Sequence, residues 1–111
     1  TGVDSGMRIM QEESFGPVIG IQKVSEDEEA LSLMNSLDLG LTASVHTPDR
    51  VRAMGLLRAL EAGTVYWNCC DRVSPELPWS GRKMSGLGST LSEPGLRAFV
   101  QPKAWHLRYP E

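Results

Sequence analysis

Apolar positions along the first two-thirds of the chain follow two different spacings. Segments rich in β-branched or aromatic residues predict strands at 18–24 (VIGIQKV), 41–47 (LTASVHT) and 64–68 (TVYWN). Between them, apolar residues recur at helical spacing in SEDEEALSLMNSL, from 25, and VRAMGLLRALEA, from 51. The order strand–helix–strand–helix–strand predicts an α/β fold with a parallel sheet and right-handed crossovers.

The residues beside the helical segments predict where each helix begins and ends. Ser25 is a suitable N-cap, and Glu28 would complete a capping box with it. For the second helix, Thr47 is the expected cap, with Pro48 at the first helical position, and Gly63 is expected to end it. Two helices cover only one face of a parallel sheet, so we expect the second face to be covered by polypeptide that is missing from this sequence or by a partner.

The last third of the chain has a different pattern. Residues 69–90 are rich in Gly, Ser and Pro, and a loop of this length is commonly functional. A short helix is predicted next, capped by Ser92 and started by Pro94. Apolar and polar residues then alternate in 104–109, which predicts a half-buried terminal strand able to pair with another sheet edge.

Composition narrows the class of protein. The 111 residues suffice for one domain, and a net charge of -3 argues against a nucleic-acid-binding surface. No apolar run approaches the ~20 residues that span a bilayer, and TGVDSGMRIM lacks a signal-peptide core, so a cytoplasmic location is expected. The adjacent Cys69 and Cys70 suit neither an ordinary disulfide nor a metal site, and His46 and His106 are far apart in sequence. The first 11 residues read as loop, which is compatible with a fragment of a longer protein.

Two motifs carry a family resemblance: EESFGP at 12–17 and PWSGRKMSGLG at 78–88. With the elements between them, they make residues from about Met7 to Tyr109 similar to the C-terminal part of the NAD(P)-dependent aldehyde dehydrogenases. The resemblance implies residues 1–103 as part of a catalytic domain and 104–111 as an oligomerisation strand. The final strand could instead return to its own sheet.

The resemblance implies a cofactor role for the first motif. Glu13 would hydrogen-bond the hydroxyls of the nicotinamide ribose, and Phe15 would pack against the nicotinamide ring of NAD or NADP. A carboxylate can accept two hydroxyl hydrogen bonds, and an aromatic face suits a flat ring. Without the family pattern, Glu12 and Glu13 would read as solvated loop acids and Phe15 as a hydrophobic plug at the start of a strand.

The same resemblance places the 69–88 loop beside the aldehyde entrance. Trp79 takes the position of an aromatic that lines the substrate tunnel, and Val73 stands where many members have a second aromatic. Leu77 is a further candidate contact. Alternatively, Trp79 is a large hydrophobe that pins down a long loop.

The catalytic groups that the family uses are not in these 111 residues. Its nucleophilic cysteine lies upstream of the first motif in a different context, so we interpret Cys69 and Cys70 as ordinary small residues. We therefore expect the chain alone to be inactive and the longer parent, a homo-oligomer, to oxidise an aldehyde to an acid. The alternative is a stand-alone, non-catalytic scaffold that self-associates. The aldehyde, the choice of NAD or NADP and the oligomer number stay open.

Overall fold

The computed structural model describes residues 2–70 and 72–110. Short helices and strands follow one another in the order α1, α2, β1, β2, α3, β3, β4 and α4. The helices are α1 (Arg8–Gln11), α2 (Asp27–Asn35), α3 (Arg50–Ala59) and α4 (Ser92–Arg97). The strands are β1 (Leu39–Gly40), β2 (Thr42–Val45), β3 (Thr64–Trp67) and β4 (Arg82–Lys83).

The central unit is a parallel strand pair. Strands β2 and β3 pair from Thr42 opposite Thr64 to Val45 opposite Trp67. Helix α3 connects them, as a parallel pair requires a long crossover rather than a tight turn. This confirms the α/β class and the predicted strands at 41–47 and 64–68, with slightly shorter bounds.

A second, antiparallel pair joins β1 to β4, which lies within the 69–90 region that we predicted as a long loop. Leu39 of β1 pairs with Lys83 of β4, and Gly40 pairs with Arg82. An isolated antiparallel bridge joins Trp79 to Thr90 further along the same segment. Two-residue strands carry no readable alternation, so sequence periodicity could not have found them.

The predicted strand at 18–24 is wrong for this chain, since these residues lie in neither a helix nor a strand. Val18, Ile19 and Ile21 are 62%, 83% and 66% exposed. A strand is defined by hydrogen bonds to a neighbour, and no strand of the described residues pairs with this segment. The β-branched residues give this segment a propensity for strand, but a strand forms only where a neighbouring strand can pair with it.

The predicted terminal strand at 104–109 is likewise not formed within the described chain. Its alternating apolar residues, Trp105, Leu107 and Tyr109, are 72%, 67% and 85% exposed. Pairing of this segment with another subunit therefore stays a prediction.

The cap of α3 is Asp49 rather than Thr47. Its side chain accepts from the backbone N–H of Val51 at 2.8 Å and of Arg52 at 3.0 Å. Pro48 consequently precedes the cap instead of occupying the first helical position. A carboxylate is a strong N-cap acceptor, which explains why it displaces a threonine hydroxyl. The helix also ends earlier than Gly63, at Ala59.

The other helix starts also differ from the prediction. Helix α2 begins at Asp27, and Ser25 donates its N–H and its hydroxyl to Glu29 rather than bonding to Glu28. Helix α4 includes Ser92, and the residue before it, Leu91, caps without a side-chain hydrogen bond. Helix α1 lies in the stretch that we predicted as loop.

The buried core is small and lies between α3 and the parallel pair. Its buried apolar residues among those described are Ala53, Leu60, Ala62 and Tyr66. The radius of gyration is 19.6 Å, whereas a compact domain of this length has roughly 13 Å. The fold is thus extended and leaves much apolar surface exposed. Within the described residues, no helix has the length and hydropathy needed to cross a membrane.

Candidate functional site

The two acids of the EESFGP motif have different surroundings. Glu12 receives two hydrogen bonds from the Arg8 guanidinium, at 3.0 and 2.8 Å. The hydrogen bond from Arg8 lowers the pKa of the Glu12 carboxyl below its ordinary value. Glu13 is exposed and makes no side-chain hydrogen bond or ion pair with the described residues. Of the two carboxylates, Glu13 is therefore the one that can receive hydroxyl donors.

Phe15 projects from a strained turn. Its φ is +48°, a left-handed value that is uncommon for a bulky residue, and its side chain is 92% exposed. The turn is closed by the N–H of Val18, which donates to the Gly16 carbonyl at 2.8 Å, and by Ser14, whose hydroxyl donates to the Val18 carbonyl at 3.4 Å. The phenyl face is consequently open to a flat ligand or to another protein surface.

Glu13 lies on the same groove as the second motif. The residues that line this open groove of about 580 Å³ include Glu12 and Glu13 of the first motif and Met84 and Ser85 of the second. Gly40, at the end of β1, lines the same groove. The fold thus brings together two motifs that are about 70 residues apart in the sequence, which sequence reasoning alone did not predict.

The three candidate aldehyde contacts lie on the 72–79 segment and do not line that groove. Trp79 is half-buried, whereas Val73 and Leu77 are 56% and 60% exposed. Trp79 and Thr90 exchange backbone hydrogen bonds of 2.8 and 2.9 Å, which close the loop between them. Phe15 also lies off the groove, so the structure unites Glu13 with the second motif but does not join all five predicted residues.

The second motif is held by contacts that sequence reasoning missed. The hydroxyl of Ser85 accepts from the Gly40 N–H at 2.8 Å. The ammonium of Lys83 donates to backbone carbonyls near the end of α2 and pairs with Glu61. The signal in the sequence was the presence of glycines on both sides of Lys83 and Ser85, since glycine allows a closely packed backbone.

Cys69 and Cys70 are exposed free thiols. They follow Asn68, which comes directly after the end of β3. Across residues 2–70 and 72–110, no cluster of three or more His, Cys, Asp or Glu side chains is arranged to hold a metal ion.

Comparison with known proteins bears on this site. Residues 1–105 match the model of the aldehyde dehydrogenase family. An aldehyde dehydrogenase of Emericella nidulans is 44% identical over 108 residues, which are 97% of this chain and 22% of that protein. The human mitochondrial aldehyde dehydrogenase is 42% identical, over 98% of this chain and 21% of its own length. The chain spans about a fifth of the length of these curated relatives.

Solved structures show the same fold. A betaine aldehyde dehydrogenase from Staphylococcus aureus in complex with NAD+ superposes with a TM-score of 0.86 and 36% identity, over 88% of this chain and 19% of that one. An indole-3-acetaldehyde dehydrogenase complexed with NAD+ superposes with a TM-score of 0.86 and 37% identity, over 90% of this chain and 20% of that one.

Proposed function

The chain belongs to the aldehyde dehydrogenase family, and from that premise we propose that its gene product oxidises an aldehyde to a carboxylic acid with NAD or NADP. The observation that carries the proposal is the groove that Glu13 of the first motif lines together with Met84 and Ser85 of the second. A family match along residues 1–105 supports it. Because the chain is about a fifth as long as its relatives, the activity is proposed for the complete gene product.

The residues present fit the nicotinamide end of such a cofactor. The Glu13 carboxylate is exposed and has no side-chain partner among the described residues, so both its oxygens can accept from ribose hydroxyls. The Phe15 ring, 92% exposed, presents a flat apolar face. Bound NAD or NADP would supply the hydride acceptor. The role of Glu13 and Phe15 is to hold and orient the acceptor, because hydride transfer requires a short and well-aligned approach.

The loop after β3 is the proposed wall of the aldehyde entrance. The backbone of Trp79 is held by its hydrogen bonds to Thr90, whereas the side chains of Val73 and Leu77 are exposed. Such a mixture of one anchored aromatic and two smaller apolar residues suits an apolar aldehyde. A valine at position 73 leaves more room than an aromatic would, so this wall of the entrance is wide.

We place the nucleophile outside these 111 residues. Cys69 and Cys70 are exposed, and neither thiol makes a hydrogen bond with the described residues, whereas a thiol needs an activating environment to act as a nucleophile. The chain by itself is therefore proposed to be inactive. The proposed location of the complete enzyme is the cytoplasm.

The segment 104–109 is proposed as a subunit contact. Trp105, Leu107 and Tyr109 together expose a large apolar area that is costly to leave in water. Lys103 lies 4.9 Å from the Trp105 ring centroid and would shield one face of it.

Truncation after Gln101 should lower the mass of the assembly in light scattering. An unchanged mass would rule out this contact and leave the segment with a role inside one subunit.

The test of the proposed activity is reduction of NAD and NADP by the complete gene product with a panel of aliphatic and aromatic aldehydes. We expect acid formation in step with cofactor reduction, and no reduction by the 111-residue chain. Reduction by the short chain would place the nucleophile within it. A complete product that binds neither cofactor nor aldehyde, yet self-associates, would replace the enzyme with the scaffold alternative.

A further inference from the structure

Lys83 occupies an unusual backbone conformation at the centre of the second motif. Its φ is +54°, in the left-handed region that disfavours residues with a Cβ. Such a conformation persists only when surrounding contacts over-determine it, and it occurs most often at functional positions. Three contacts of the Lys83 ammonium supply that constraint.

The three N–H donors of the Lys83 ammonium are matched by three oxygen acceptors on other residues. Nζ lies 2.6 Å from the carbonyl of Asn35 and 2.9 Å from the carbonyl of Leu37. It also lies 2.8 Å from a carboxylate oxygen of Glu61. Asn35 is the last residue of α2, where the carbonyl end of a helix favours a positive charge. Since α2 has no basic residue in its own last turn, Lys83 provides the cation from another part of the chain.

The acceptors of Lys83 are themselves fixed. The side-chain amide of Asn35 donates to the Ala59 carbonyl at 2.8 Å and accepts from the Glu61 N–H at 3.0 Å. The end of α2 is thereby tied to the end of α3. Lys83 contacts both sides of this junction, so it attaches the second motif to the two helices at once.

The backbone between Lys83 and Trp79 has little freedom. A Cβ on Gly81 would come within 2.5 Å of the Ser85 carbonyl oxygen, and a Cβ on Gly63 within 1.6 Å of the Ser80 carbonyl oxygen. Trp79 itself is held by its bridge to Thr90. Because this segment is short and closely packed, we expect a displacement of Lys83 to reach Trp79.

We propose that Lys83 is a positioning residue for the aldehyde entrance: its ammonium fixes the end of the loop that carries Trp79. The inference rests on the proposed function, because it assigns Trp79 to the aldehyde. Lys83 does not touch the aldehyde or the cofactor in this assignment. Its effect is on where the Trp79 ring lies and hence on which aldehydes fit.

The experiment uses the complete gene product with Lys83→Met, Lys83→Arg and Lys23→Met. Lys23 is an exposed lysine with no side-chain hydrogen bond or ion pair among the described residues, so its substitution controls for loss of charge. Initial rates are measured for small aliphatic and bulky aromatic aldehydes, and the KM for the cofactor is measured in parallel. Hydrogen exchange of the amides from 75 to 92 reports the loop position independently of activity.

We expect Lys83→Met to lower kcat/KM for aromatic aldehydes by about tenfold to a hundredfold, since small misplacements near a reacting centre have effects of this size. The KM for the cofactor, whose proposed groove includes the neighbouring Met84 and Ser85, should change less than kcat/KM for the aromatic aldehydes. The amides of Trp79 and Thr90 should exchange faster. Lys83→Arg keeps the positive charge, so its loss of kcat/KM for aromatic aldehydes should be smaller than that of Lys83→Met. An unchanged aldehyde profile with unchanged exchange would overturn the inference.

Two further outcomes are decisive. If Lys83→Met does not fold, Glu61→Gln removes one of the three acceptors and leaves the carbonyls. Faster exchange confined to 79–90 in that variant supports the inference, and exchange that rises everywhere or nowhere overturns it. A wild-type product that oxidises no aldehyde would instead refute the proposed function, while the exchange measurement would still report whether Lys83 fixes the loop.

Discussion

The side-chain amide of Asn68 bonds to both backbone groups of Thr47. The Thr47 N–H donates to Oδ1 at 2.9 Å, and Nδ2 donates to the Thr47 carbonyl at 3.0 Å. Asn68 follows the last residue of β3 with a φ of +53°, so its side chain continues the ladder to β2 while its backbone turns away. Asparagine tolerates this conformation better than most residues. This pairing sets the start of the loop that leads to Val73 and Trp79.

Asn68→Ala should lower the free energy of unfolding by about 1–3 kcal/mol, because it removes two hydrogen bonds and keeps a Cβ at positive φ without the polar side chain that helps asparagine tolerate that conformation. Asn68→Gly removes the same bonds and relieves the backbone strain. Its cost should therefore be smaller than that of the alanine variant. Urea denaturation of both variants measures the difference, and equal costs would mean that the hydrogen bonds alone matter.

Gly63 and Gly55 form a matched pair for alanine substitution. An added Cβ at Gly63 would meet the Ser80 carbonyl oxygen at 1.6 Å, whereas nothing lies within 4 Å of one at Gly55 in the middle of α3. Gly63→Ala should destabilise the protein by about 3 kcal/mol or more through backbone displacement. Gly55→Ala should stabilise it by about 1 kcal/mol through helix propensity. Thermal unfolding compares them directly, and a destabilising Gly55→Ala would show that a close neighbour covers that face of α3.

The ion pair between Asp27 and Arg52 predicts a dependence of stability on pH. The two groups share hydrogen bonds of 2.6 and 2.5 Å, and the Arg52 guanidinium lowers the pKa of the Asp27 carboxyl. A carboxyl whose pKa is lower in the folded state contributes stability above its unfolded pKa of about 3.9, and the contribution is lost as the pH falls through the folded pKa.

Asp27→Asn should therefore be less stable than wild type near neutral pH, and the gap should close below about pH 4. Unfolding curves of both proteins between pH 7 and pH 3 measure this gap. A gap that stays constant across that range would show that the pair contributes through geometry and not through charge.

Glu13→Gln should slow hydride transfer more than it slows aldehyde acylation in the complete gene product. The carboxylate is proposed to hold the ribose and not the aldehyde, so the loss concerns the approach of the cofactor. Glu12→Gln is the matched control, because Glu12 is already paired with Arg8. Pre-steady-state kinetics separate the two steps. If acylation fell and hydride transfer did not, the role given to Glu13 would be wrong.

The family and the parallel strand pair with its crossover helix could be predicted from the sequence, because both depend on local patterns. β-branched and aromatic runs, helical spacing and two motifs are all readable within short windows. It was less successful where an element depends on a distant partner. The segment 18–24 has the composition of a strand, yet Val18 and Ile19 are exposed and unpaired in the described chain. Helix starts were also misassigned where two cap residues competed, as at Thr47 and Asp49.

The site followed the same division. Glu13 and Phe15 were found from a motif, and Trp79, Val73 and Leu77 from a family position. Nothing in the spacing of the chain indicated that Glu13 would share a groove with Met84 and Ser85. The contacts of Lys83 join residues 46 and 48 positions apart, and no periodicity relates such residues.

By itself, the sequence of this protein determined its family, its βαβ order and which side chains are chemically able to meet a cofactor. These follow from residue identity and local spacing, which need no knowledge of the rest of the molecule. Only the tertiary structure decided which acid is paired and which is available, why Gly63 and Gly81 cannot carry a side chain, and where Lys83 is anchored. Those properties are distances between residues far apart in the chain, and close packing in three dimensions is what sets them.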